Sequence, residues 1–190
     1  AGGTRGRWRA LMALKATIFK AELALADIDR SHYADYSLTL ARHPSETDER
    51  MMVRMLAFAL FADAALGFGK GLCTDDEPDL WQKDLTGAIE RWIDVGQPDD
   101  RWVRKACARA GEVVVLAYGR AVDVWWKNCR DKLARHGNLH VLEIDREAST
   151  ALAALAQRTM RLQFSIQDGQ VWVTDGERTV RVEPRLLNTH

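Results

Sequence analysis

The chain has 190 residues, 47% hydrophobic and 28% charged, with 27 basic and 27 acidic side chains. That suits a single globular domain able to bury a core without disulfides or structural metal, and no run approaches the roughly 18 apolar residues of a membrane-spanning helix. Zero net charge provides no whole-molecule attraction for nucleic acid, and the three cysteines, Cys73, Cys107 and Cys129, without C-x-x-C spacing, fit a reducing cytoplasm rather than a disulfide framework or zinc ribbon.

Residues 1–11 carry arginines but no apolar signal core or cleavage pattern, and read as a tag or upstream extension before one domain spanning 12–190. From Lys15 to Leu25, Thr17, Phe19, Ala21, Leu23 and Leu25 alternate with residues such as Lys20 and Glu22, which predicts a half-buried strand. Ala34, Tyr36, Leu38 and Leu40 predict a second strand, and the polar stretch Asp27 to Ser31 joins the two as an antiparallel hairpin. His43-Pro44-Ser45 stops it. Ser45 followed by Asp48 resembles a capping box, so a helix is expected through MMVRMLAFALF, with Val53, Leu56 and Leu60 as its apolar stripe. Glu49 extends that stripe by i, i+4 spacing and is expected to face the sheet; it reads equally well as a first-turn acid favoured by the helix dipole.

Gly67-Phe68-Gly69-Lys70-Gly71 lacks the P-loop pattern and reads as a flexible connector into the acidic loop Thr74 to Glu77. Two strands follow, joined at Leu85-Thr86-Gly87, with Asp79 near the start of the first and Asp94 at the exit of the second. Pro98 and Asp99 open a helix to about Ala110, and Glu112 to Tyr118 is an apolar run of the kind found in strands covered on both faces. Ala121 to Arg135, Leu139 to Ile144 and Glu147 to Gln157 read as helix, strand and helix, an alternation that predicts βαβ units. Short strands around Leu162 to Ile166, Val171 to Thr174 and Thr179 to Val182 turn at Asp168-Gly169 and Asp175-Gly176. The sum is an α/β (mixed α+β) domain, a mixed sheet flanked by helices, with an additional antiparallel β module from the two chain ends.

Period two on the second of the paired strands places Glu90, Trp92 and Asp94 on one face, and antiparallel pairing across the short turn brings Asp79 level with Asp94. Two carboxylates converging at a sheet end call for a cation, Mg²⁺ or Mn²⁺ when every ligand is oxygen. On spacing alone the plainer reading, two solvated strand-end residues, is the stronger. The following helix carries Arg101, Arg104, Lys105 and Arg109, a local patch for phosphate contacts with nucleic acid. Of the seven tryptophans, Trp81, Trp92, Trp125 and Trp126 read as core, and Trp102 beside Arg101 is the candidate for base stacking. The five histidines have no ligand spacing and no partnered nucleophile, and Cys107 reads as a small helix residue of the core.

The order Pro78-Asp79, then Ile93-Asp94-Val95, after a helix bearing Glu49, resembles the PD-(D/E)XK nuclease superfamily. The blocks ARHPSETDERMMVRMLAFAL, TDDEPDLWQKDLTGAIERWIDVGQPD and RKACARA resemble the YaeQ family of bacterial proteins, which has a restriction-endonuclease-like core. The resemblance covers nearly the whole chain from Met12. It implies that Asp79 and Asp94 hold Mg²⁺ or Mn²⁺ and that Glu49 orients metal-bound water. The superfamily lysine belongs two residues after Asp94, where this chain has Gly96. Lys105 could reach back as a migrated lysine and Gln97 could contact metal or water; Lys83 is a weaker candidate. A metal-dependent phosphodiesterase acting on nucleic acid is the function so implied. The alternative is a non-catalytic binding or regulatory module that keeps the nuclease fold.

Overall fold

The computed structural model describes residues 15–71 and 76–188. The readings of residues 1–11, of Cys73 and of Thr74 and Asp75 lie outside them.

The chain opens with β1 (Thr17–Asp27) and β2 (His32–Arg42), paired antiparallel from Thr17 opposite Arg42 to Asp27 opposite His32. Alternation decides the register, since Phe19, Ala21, Leu23 and Leu25 are all buried while Ile18, Lys20, Glu22 and Ala24, which alternate with them, are exposed. α1 (Asp48–Leu60) follows. Its N-cap is Thr47, whose hydroxyl accepts the Arg50 N–H at 3.1 Å, and not Ser45, whose hydroxyl is engaged by His43 Nδ1 at 2.6 Å. The expected single stripe is also too narrow. Every residue from Met51 to Ala59 is buried, Arg54 included, because α1 lies between the two sheets, and a helix covered on all sides has no polar face.

β3 (Leu66–Phe68) occupies part of the stretch expected to be a flexible connector. It pairs antiparallel with β4 (Leu80–Lys83), which pairs antiparallel with β5 (Ile89–Val95). Gly69 ends β3 against the next segment: its N–H donates to Asp79 O at 2.9 Å, and a Cβ there would lie 2.0 Å from Pro78 O. Only glycine permits that approach, and it fixes the backbone that carries Asp79.

α2 (Asp100–Arg109), β6 (Ala110–Tyr118), α3 (Val122–Leu133), β7 (Leu139–Ile144) and α4 (Arg146–Ala153) alternate as expected, and β5, β6 and β7 are parallel. Val113 and Val115 of β6 face one core with α2 and α3; Val114 and Leu116 face the other, with α1. β8 (Thr159–Gln167), β9 (Gln170–Thr174), β10 (Thr179–Val182) and β11 (Arg185–Leu186) complete the chain. One sheet has the order β10-β9-β8-β1-β2 and the other β11-β7-β6-β5-β4-β3.

The module from the two chain ends is therefore mixed, not antiparallel, because β1 and β8 run parallel with Ala21 opposite Met160, Leu23 opposite Leu162 and Leu25 opposite Phe164. Alternation specifies which face is buried; it carries no information on which strand lies alongside, or in which direction. No helix among the described residues is long and apolar enough to cross a membrane.

Candidate functional site

The C-terminal ends of β5, β6 and β7 share one sheet edge, the usual location of a binding crevice in parallel α/β sheets. Asp79 immediately precedes β4, and the register that sets Leu80 opposite Ile93 brings Asp79 beside Asp94. Both are buried, 7% and 5% exposed. Asp79 Oδ2 accepts the Val95 N–H at 2.8 Å. Asp94 Oδ2 accepts two indole N–H groups, from Trp92 at 2.8 Å and from Trp102 at 2.7 Å. Burial, reinforced by the neighbouring Asp79 charge, pushes the Asp94 carboxyl up to about 7 against the opposing pull of the two indoles.

Arg50 reaches this pair from the first turn of α1. Its Nη2 donates to Asp79 Oδ1 at 2.7 Å and to Oδ2 at 2.9 Å, and its Nη1 to Glu46 Oε1 at 3.0 Å. Glu46 is held in turn by the buried Arg54, through Nε and Nη2 at 2.8 Å each. Glu49 points elsewhere: Oε1 accepts the Ser149 hydroxyl of α4 at 2.7 Å. Tyr118, at the end of β6, lies within electrostatic reach of Arg50 and Glu49, and burial raises its phenol pKa. The two guanidiniums thus pair with Glu46 and Asp79, and among the described residues no ion pair reaches Glu49 or Asp94.

Gly96 has φ +104°, a conformation that a side chain takes up only with strain. A lysine is therefore disfavoured by the backbone at this point. The exposed Gln97 turns away, donating Nε2–H to Tyr118 O at 2.9 Å. Lys105 ion-pairs with Asp76 at 2.7 Å and lies 5.5 Å from the centre of the Trp102 ring, the same ring that holds Asp94. Lys83 sits over Trp81 at 3.6 Å. In the basic helix, Arg101 is exposed, Arg104 bonds Asp100 of its own first turn, and Arg109 donates to Asp76 O at 3.3 Å while covering Trp92. Among the described residues no cluster of three or more His, Cys, Asp and Glu is arranged to hold a metal ion.

The family model for the YaeQ protein matches residues 12–184. The chain belongs to the YaeQ family. It is 48% identical over 172 residues to the uncharacterized protein YaeQ of Escherichia coli K12, covering 90% of this chain and 95% of that protein. Against the Salmonella typhi protein of the same name it is 45% identical over 173 residues, covering 90% and 96%. The crystal structure of YaeQ from Xanthomonas axonopodis pv. citri superposes with a TM-score of 0.89 at 53% identity, covering 92% of this chain and 99% of that one. YaeQ from Pseudomonas syringae gives 0.88 at 36% identity, covering 92% and 97%.

Within this YaeQ chain, residue spacing pairs Asp79 with Asp94 but leaves out most of what surrounds them. Glu46, Arg50 and Arg54 recur every four residues, an acid-base ladder legible in the sequence. Trp92 shares the Asp94 face by period two. Trp102 carries no such signal, since its bond to Asp94 depends on how α2 packs back onto the sheet.

Proposed function

We propose that this YaeQ chain is a divalent-metal-dependent phosphodiesterase of the restriction-endonuclease-like kind, acting on nucleic acid. The observation that carries the reading is Asp94: a carboxyl 5% exposed, beside a second buried carboxylate, without an ion pair among the described residues. Such a group costs the fold stability at neutral pH, and a cation would remove the cost. Two carboxylates suit Mg²⁺, which keeps several waters and completes its shell with substrate phosphates. When bound there, the ion would supply Lewis-acid stabilisation and a more acidic water.

The chain's own residues divide the remaining work. Trp92 and Trp102 fix Asp94 in one orientation, and the Val95 N–H does the same for Asp79. Glu49, without an ion pair among the described residues and bonded to a hydroxyl, is the acid available to order water, and Gln97 lies at the same sheet edge. Lys105 and Arg109 lie over the Trp102 and Trp92 rings, and with Arg101 and Arg104 of the same helix they offer phosphate contacts.

Calorimetric titration of Mg²⁺ and Mn²⁺ into the protein and into Asp79→Ala and Asp94→Ala tests this. Binding abolished in both variants, together with metal-dependent cleavage of single- or double-stranded DNA or RNA by the unsubstituted protein, is the expected result. No binding, even with a non-hydrolysable oligonucleotide present, sinks it. A second reading, a non-catalytic module that grips nucleic acid, is favoured by Lys105 being tied to Asp76; it predicts oligonucleotide binding indifferent to metal and no cleavage.

A further inference from the structure

Arg50 is placed unlike any other cation among the described residues. It alone there forms ion pairs with the Asp79–Asp94 couple, and one nitrogen, Nη2, contacts both oxygens of Asp79. A cation that takes Asp79 as ligand must compete with that nitrogen for the same lone pairs. Arg50 is also tethered independently. Nη1 bonds Glu46, which Arg54 clamps through both of its oxygens, so the guanidinium has a tether that does not depend on Asp79. Its Nε has no partner among the described residues, so donors are available to an incoming oxyanion.

The candidates for a lysine at this place do not supply one. Gly96 cannot hold a side chain comfortably at φ +104°, and Lys105 is engaged by Asp76. We propose that Arg50 serves first as the built-in counter-cation of Asp79 and then, when a divalent ion takes that carboxylate, as the group that binds the substrate phosphate. The proposal rests on the phosphodiesterase reading above and adds a residue and an exchange to it: a planar fork of donors turning from a carboxylate to a phosphate of similar geometry.

The exchange has a signature of opposite signs. Removing Arg50 relieves competition for Asp79, so Mn²⁺ is expected to bind Arg50→Met about tenfold more tightly, an ordinary coupling between two sites. With Mn²⁺ replaced by the inert Ca²⁺ to prevent turnover, a single-stranded 12-mer is expected to bind Arg50→Met about tenfold more weakly. The slope of log K against log salt should be smaller by about 0.7, the value for one phosphate fewer neutralised. Arg50→Lys is expected to recover part of the oligonucleotide affinity, and Arg50→Gln, which can still bond Glu46, to behave as Arg50→Met should the latter fail to fold.

Weaker Mn²⁺ binding in folded Arg50→Met and Arg50→Gln would make Arg50 a structural strut and overturn the proposal. So would unchanged oligonucleotide affinity and salt slope. Either result with Asp79→Ala still abolishing Mn²⁺ binding leaves the phosphodiesterase reading standing. Absence of Mn²⁺ binding in the unsubstituted protein, with or without oligonucleotide, removes both.

Discussion

Asp94 makes the protein's stability depend on pH in a direction opposite to that of an ordinary carboxylate. Its folded-state pKa lies at about 7 against an unfolded value of 3.8, so the folded chain holds a proton that the unfolded chain has released over that interval. The contribution is fully present below about pH 4 and is lost as pH rises through about 7. The gap between the two values corresponds to about 4 kcal/mol, with a maximal slope of about 1.4 kcal/mol per pH unit. For a chain of this size that is about 10 °C in Tm. The perturbation is Asp94→Asn, which keeps an oxygen to accept the Trp92 and Trp102 indoles but cannot ionise. Urea unfolding of both proteins from about pH 4.5 to 8.5, compared by difference, cancels the titration of groups that do not interact with Asp94. The unsubstituted protein should lose stability relative to Asp94→Asn as pH rises, and saturating Mg²⁺ at the alkaline end should restore part of it. Parallel profiles, or a loss on the acid side, would refute the burial argument.

The same geometry governs three other substitutions. Trp102→Phe keeps the ring and deletes the 2.7 Å indole bond, and should cost about 1–2 kcal/mol at alkaline pH while moving the Asp94 titration still higher, read by ¹³C-carboxyl NMR. Gly69→Ala drives a Cβ to 2.0 Å from the Pro78 carbonyl, and should cost about 1–3 kcal/mol in thermal unfolding together with weaker Mn²⁺ binding, because the displaced backbone is the one that carries Asp79. Arg54→Met leaves Glu46 buried with Arg50 as its only ion-pair partner among the described residues, and should cost about 3–5 kcal/mol, most of it recovered in the Arg54→Met, Glu46→Leu double variant.

Period two marks both strands of the opening hairpin and the burial of Phe19, Ala21, Leu23 and Leu25, because a half-exposed strand writes its faces into alternate positions. The apolar run ending at Tyr118 marks the central strand, for both of its faces are covered. The parallel pairing of β1 and β8 is invisible in the sequence, since backbone hydrogen bonds between segments far apart in the chain leave no mark on composition. β3 is hidden by its glycines: Gly67 and Gly69 suggest a loose connector, whereas Gly69 is required by its close approach to Pro78. At the site, Asp79 and Asp94 are legible because a short turn brings them to nearly the same level, whereas the bulge at Gln82 and Lys83 that sets the final register leaves no such mark in the sequence. Arg50 is eclipsed by its neighbour Glu49, because an apolar stripe presumes a solvent face on α1, and α1 has almost none.

The two buried acid clusters of this chain differ in a way that bears on function. Glu46 is surrounded by donors: two guanidiniums make three bonds to it, so its burial is compensated and its role can be wholly structural. Asp94 receives only neutral donors, the two indoles and the Asp79 backbone N–H, and faces another carboxylate, so its charge is left uncompensated beside buried ions that are paired. An asparagine or leucine would serve the sheet better at neutral pH. The indoles hold the Asp94 oxygen in place without supplying the charge that would neutralise it. That is the arrangement needed where the positive charge arrives from outside the chain, and it makes Asp94, ahead of Glu49 or Lys105, the residue on which the metal reading stands.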